Sequence, residues 1–199
     1  MGIWDTESRF YVTENDYTVP PTTKRYGAWS TKQRPLESMQ NNTRLVFQPS
    51  YGMCTYAYAV TFEGARKILS SLSVAPTSKP VDLGYRDLCS GRWQIPFICI
   101  GVYPSIFSSH RPAGPADRDS DLNAKSSTWH AEFTQDIVYS TIQNAARWVL
   151  GETDVLAQWP DEVTKPRIGL DGIRIPSGKL KTLETIDWRE TVVEDQSPA

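Results

Sequence analysis

The run FICIGVYP, residues 97–104, constrains the fold more than any other stretch. Rich in β-branched and aromatic residues and closed by a proline, it reads as the strongest strand of the chain. Two further stretches, TRLVFQ (43–48) and YAYAVTF (56–62), are strand candidates. The period then turns helical. Thr61 can cap a helix on which Ala65, Ile68, Leu69 and Leu72 share one face, with Arg66 and Lys67 on the other. The stretch SSLSVAPTSKP ends it. Lys79 precedes a proline and should be extended, so LGYRDLC reads as a short helix beginning near Asp82. FTQDIVYSTIQNAARWVLG (133–151) predicts a long C-terminal helix, with Val138, Ile142, Ala145 and Val149 in one stripe and Gly151 as its stop.

Strands alternating with helices in 199 residues predict an α/β chain with one ordinary core. Three regions are expected: an extended N-terminal segment with the first strand (1–50), a central region (51–151) and an irregular, flexible tail (152–199). Within that tail IRIPSGKLKTL can form a small hairpin.

The formal net charge of -2, with 21 scattered basic residues, argues against a dedicated nucleic-acid or membrane-surface binder. Cys54, Cys89 and Cys99 make an odd count without CxxC spacing, so neither a zinc site nor a disulfide framework is expected, and one disulfide stays open. Cys99 reads as a small buried hydrophobe within its apolar run. No stretch is long and apolar enough to span a membrane, and MGIWDTESRF lacks the apolar centre of a secretory signal. Asn41-Asn42-Thr43 is a glycosylation sequon that means little without a secretory route.

Four segments in order carry a family resemblance: YGMCTYAYAVTFEGARKIL, KPVDLGYRDLC, FICIGVYPSIFSSHRPAG and RDSDL. Together, from Tyr51 to Leu122, they resemble the second half of the family 25 glycosyltransferases, and HRPAG looks most like the fungal branch. That resemblance implies a partial GT-A-like fold, its acceptor-side half. It also implies transfer of a hexose, galactose among the options, from a nucleotide-sugar donor to a hydroxyl on a glycan or protein acceptor. A divalent metal, manganese in such enzymes, and a secretory route for a longer form come with it. The acidic DxD of the family's donor half has no match upstream of Tyr51, since Glu14 and Asp16 lie in a polar, Pro-flanked segment. The expectation is therefore a partial or divergent chain. The alternative is a non-catalytic fragment that binds glycan or protein through an aromatic groove. Asp117-Arg118-Asp119 matches DxD in letters but reads as a solvated charge cluster in a loop.

Inverting transfer requires a carboxylate, on a fixed element, that takes the acceptor hydroxyl's proton. Asp82 follows Pro80-Val81 at a helix start and is the candidate base; the competing role is a helix N-cap, and the two can coexist. Asp87 lies off that face and reads as surface charge. His110 stands in the loop after the strongest strand, where an imidazole could reach a metal or a diphosphate, and Arg111 could grip phosphate oxygens; a locally bonded loop is the other reading. His130 reads as structural. Tyr56 and Tyr58 share one strand face and either line an acceptor groove or pack against the helix at 61–72. Ser120 and Asp121, candidate substrate-binding residues by the resemblance, can also hold their loop through local bonds.

Overall fold

The computed structural model describes residues 2–3, 9–25, 42–49, 51–52, 57–74, 79–92, 95–115 and 128–182. The elements run β1 (Gly2–Ile3), β2 (Arg9–Thr13), β3 (Arg44–Phe47), β4 (Tyr51–Gly52), α1 (Phe62–Leu72), α2 (Val81–Cys89), β5 (Gly101–Tyr103) and β6 (His110–Arg111). They continue with β7 (Gly114–Pro115), β8 (Trp129–His130), β9 (Phe133–Thr134), α3 (Thr141–Val149), β10 (Asp154–Leu156), β11 (Arg167–Gly169) and β12 (Lys179–Thr182). The architecture is mixed α/β.

An antiparallel sheet of order β12-β2-β3-β5 forms the frame. Because side chains alternate along a strand, Phe10 and Val12 of β2, Leu45 and Phe47 of β3 and Tyr103 of β5 bury one face together. Phe10 pairs with Phe47 in register, their rings 5.9 Å apart. A second core gathers Val138, Tyr139, Val155 and Ala157, with Trp148, Val163 and Ile168 packed against it. Short antiparallel pairs, β6 with β9 and β7 with β8, hold the loops after β5.

The expected helix after Thr61 forms, and its cap is the predicted one: Thr61 Oγ1 accepts a hydrogen bond from the Gly64 N–H at 3.1 Å. Its buried face differs in detail, since Leu69 is exposed and Ser71 is buried. α1 reaches α2 at Gly84, where an added Cβ would lie 3.0 Å from Leu72 Cδ2. A Cβ there would require the end of the Leu72 side chain to shift by a few tenths of an ångström.

Several expectations are corrected. FICIGVYP is a strand only at Gly101–Tyr103, because its neighbour β3 ends with Phe47 opposite Gly101. Upstream, 96–100 carry no strand, and Ile98 and Ile100 are exposed. Residues 57–60 are not a strand either, while 53–56 lie outside the described residues. The long C-terminal helix is shorter than expected, starting at Thr141 with Ser140 as its cap. Its apolar stripe faces outward: Ile142, Ala145 and Val149 are exposed, Val149 by 87%. The buried position is Asn144, whose amide donates to Leu156 O at 3.0 Å and accepts from Leu156 N–H at 2.8 Å. That pairing satisfies both backbone groups of one β10 residue, and so sets which face of α3 turns inward.

The region from 152 on, expected to be irregular, contains β10, β11 and β12. KLKT does not fold back on IRIP; it pairs with β2 at the sheet edge, with Lys179 opposite Val12. Glycine permits this, because a Cβ on Gly178 would meet Val12 O at 2.5 Å.

Cys89 and Cys99 form a disulfide, with Cα atoms 5.5 Å apart, tying the end of α2 to the segment before β5. Cys99 is thus a cross-link rather than a buried thiol. Closing a loop of ten residues restricts the unfolded chain. Replacing both cysteines by serine should therefore lower the unfolding free energy by about 2–3 kcal/mol on the chain-entropy account. The measurement is the urea midpoint, and the difference from wild type should vanish in reductant.

Asp87, expected at the surface, is buried beneath its own partners. Lys79 Nζ lies 2.7 Å from Oδ2, while Arg86 and Arg92 lie 3.2 and 3.3 Å from Oδ1. The hydrogen bond from Lys79 is the main cause that holds its carboxyl below the ordinary aspartate range, with burial opposing. A depressed folded pKa gives stability that is present above the unfolded value and lost as pH falls through the folded one. Asp87→Asn should flatten the acid limb of a stability–pH curve in that window, and an unchanged limb would remove Asp87 from it.

Among the described residues no helix is long and apolar enough to cross a membrane.

Candidate functional site

Asp82 is the second residue of α2, half-buried, and its Oδ1 accepts a hydrogen bond from the Leu83 N–H at 2.9 Å. The N-cap is Pro80 rather than Asp82, so the capping role expected of this acid belongs to another position. Proline suits the place: it starts the helix without asking for an N–H partner. Asp82 instead sits in the first turn, where a negative charge meets the helix's amide end favourably.

Three residues on, Tyr85 projects from the same side of α2, because residues i and i+3 are neighbours on a helix. Its hydroxyl donates to the Tyr58 hydroxyl at 3.2 Å, and the two rings meet edge to face with centroids 5.3 Å apart. The hydrogen bond to Tyr58, more than burial, raises the Tyr85 pKa. Tyr58 is 64% exposed, so it is not core packing against α1. Tyr58, open to solvent and braced by the half-buried Tyr85, offers a stacking surface one helical turn from a carboxylate. Tyr85 was missed from sequence; its signal was the three-residue offset from Asp82. Tyr56 lies outside the described residues.

His110 and Arg111 form β6, which pairs with β9 in the register His110 to Thr134 and Arg111 to Phe133. His110 Nδ1 is 3.2 Å from Thr134 Oγ1, and Nε2 is 3.5 Å from Glu132 Oε1. Thr134 Oγ1 in turn lies 2.6 Å from Ser140 Oγ. A carboxylate only accepts, so in the neutral ring Nε2 carries the proton and Nδ1 accepts from Thr134. His110 is thus tied through Thr134 to the start of α3, with Glu132 beside it. As a metal site it has Glu132 as a neighbouring donor, and no group of three His, Cys, Asp or Glu side chains able to hold a metal forms among the described residues. Asp117, Asp119, Ser120 and Asp121 lie outside those residues.

The contacts place the candidates in two neighbourhoods. Asp82, Tyr85 and Tyr58 belong to α2, which packs on α1 and β4, and to the segment before α1. His110 and Arg111 belong to the β6–β9 pair. Asp16, set aside as a metal acid from sequence, is fully buried and bound to Arg44 at 2.6 Å. Glu14 is held by Lys181 at 2.6 Å, whose hydrogen bond is the main cause lowering its pKa. No protein-family model, no curated protein and no solved structure matches this chain.

Proposed function

We propose that the chain is the acceptor side of a family 25-like hexosyltransferase with a partial GT-A-like fold. In this proposal the Tyr58–Tyr85 pair stacks a sugar ring of a glycan acceptor, and Asp82 takes the proton of its attacking hydroxyl. The donor is a nucleotide sugar. One observation carries the reading: an exposed tyrosine, Tyr58, is braced by the half-buried Tyr85, which lies one turn along α2 from the half-buried carboxylate of Asp82. A pyranose has an apolar face for the rings and a rim of hydroxyls for the acid, so this combination fits it. His110 and Arg111 are given no step, and no step runs through a metal.

The experiment pairs two measurements on the protein: methyl β-galactoside binding by calorimetry, and uridine diphosphate release from its galactose conjugate with manganese present. Removing a stacking ring by Tyr58→Ala should weaken hexoside binding about 10-fold, the scale of one aromatic contact. Binding with transfer supports the enzyme. Binding without transfer assigns the non-catalytic glycan-binding alternative. Binding that ignores Tyr58→Ala removes the site.

A further inference from the structure

A groove of about 450 Å³ opens between the turn at Thr22–Lys24, the β8–β9 segment and the loop after β10. It shares no residue with the Asp82 surface. Its volume falls within the ~300–1,000 Å³ of ordinary small-molecule sites. Six of its lining residues matter here: Lys24, His130, Glu132, Phe133, Gln135 and Trp159.

Each supplies a distinct part. Trp159 is half-buried, and Lys24 Nζ sits 5.8 Å from its ring centroid. Glu162 holds that ammonium at 2.9 Å, so the cation is already neutralised. Phe133 and His130 pack edge to face with centroids 5.4 Å apart, which gives the opposite element a second aromatic surface. Glu132 Oε1 lies 3.5 Å from His110 Nε2, and His110 is itself tied through Thr134 to Ser140. A carboxylate has about four lone-pair directions, so a single imidazole contact leaves it able to accept more. Gln135 Oε1 accepts from Ser109 Oγ at 2.9 Å, and its amide adds hydrogen-bonding capacity to the groove.

The inventory discriminates between ligands. An anion such as a phosphate would have to break Lys24 from Glu162, and the other lining cation, Arg25, is largely buried and donates from Nε to the Pro20 carbonyl at 3.1 Å. A cation would find the place over the tryptophan already taken by the Lys24 ammonium. A neutral ring with one apolar face and hydroxyls at its rim meets the aromatic surfaces, a carboxylate that accepts and an amide that can donate or accept. We propose that this groove is a second saccharide site, binding a neutral hexopyranoside stacked on Trp159 and hydrogen-bonded to Glu132 and Gln135. It stands on the groove's own groups and does not depend on the role given to Asp82.

The test is a titration of the ¹⁵N-labelled chain with methyl β-galactoside, methyl α-glucoside and methyl α-mannoside, following the Trp159 indole and the His130 ring resonances. At least one hexoside should shift both saturably, with a dissociation constant near ~1 mM. Glu132→Gln, which loses the charge on the acceptor, should weaken that binding about 10-fold. Trp159→Ala should abolish the His130 shift; Trp159→Phe, which keeps a ring in place, should retain part of it and serves if the alanine variant fails to fold. Tyr58→Ala should leave the Trp159 shift unchanged. Shifts confined to Tyr58 and Tyr85 overturn the groove and spare the Asp82 surface, whereas shifts confined to Trp159 and His130 do the reverse. Shifts that never saturate, or that survive Glu132→Gln at full strength, overturn the assignment.

Discussion

Arg44→Met should lower the unfolding free energy by about 3–5 kcal/mol, the cost of leaving one member of a buried ion pair alone. Arg44 and Asp16 have side chains only 2% and 0% exposed, and their Nε–Oδ2 distance is 2.6 Å. Both ends are also hydrogen-bonded. Asp16 Oδ1 accepts from Thr18 N–H at 2.9 Å and from Thr18 Oγ1 at 2.5 Å. Arg44 donates through Nη2 to Thr18 Oγ1 at 2.9 Å and through Nη1 to the Pro104 carbonyl. The guanidinium therefore ties the start of β3 to the turn after β2 and to the end of β5. Methionine keeps the length of the side chain and removes every one of these donors. Asp16 would then hold a charge against a dry wall. Removing both partners, as in Arg44→Met with Asp16→Leu, should cost clearly less than the sum of the single changes, because no lone charge is left behind. Arg44→Lys should rescue only part, since an ammonium cannot span three acceptors in a fixed fork. Urea unfolding measures all four variants. A cost for Arg44→Met below about 1 kcal/mol, the range of exposed pairs, would contradict a buried pair.

The second large effect concerns turnover. In the transfer reaction proposed above, Asp82→Asn should slow turnover by about 100- to 10,000-fold, the usual loss when a general base is removed. Asparagine keeps the shape, and its carbonyl can still accept the Leu83 N–H that Asp82 Oδ1 accepts at 2.9 Å. The first turn of α2 should thus persist, with an unchanged urea midpoint. The expected kinetic pattern is a lower kcat with little change in KM, because the lost interaction acts on the proton in flight rather than on ground-state binding. Tyr58→Ala should do the opposite and act mainly on KM. Near-normal turnover in Asp82→Asn would reject the base assignment even if hexosides still bind beside Tyr85.

What could be read from sequence was local. Thr61 capped α1 as expected, because the bond runs from a side chain to an amide three residues on. Pro80 placed the start of α2, and the strand candidate TRLVFQ contains β3. What could not be read was long in reach. The α3 stripe was assigned inward because its spacing was right, yet the helix turned by the pull of Leu156 on Asn144, twelve residues away. Asp87 looked like surface charge because it lies off the face of Asp82; the convergence of Lys79, Arg86 and Arg92 on its carboxylate covers it. Among the candidate residues, the place of Asp82 at a helix start was legible, whereas Tyr85 meeting Tyr58 across 27 positions was not.

The amino-acid order by itself determined the helices α1 and α2, the cap at Thr61 and the strand β3, because caps, prolines and side-chain period act within a few residues. Only the tertiary structure decided the partner of Arg44, the edge strand β12 beside β2, the Cys89–Cys99 link and the convergence of Glu132 with Trp159 on one groove. Those contacts depend on where distant backbone segments come to lie. A hydrogen bond or ion pair is satisfied by whichever group the fold brings within about 3 Å, and no local pattern records that distance.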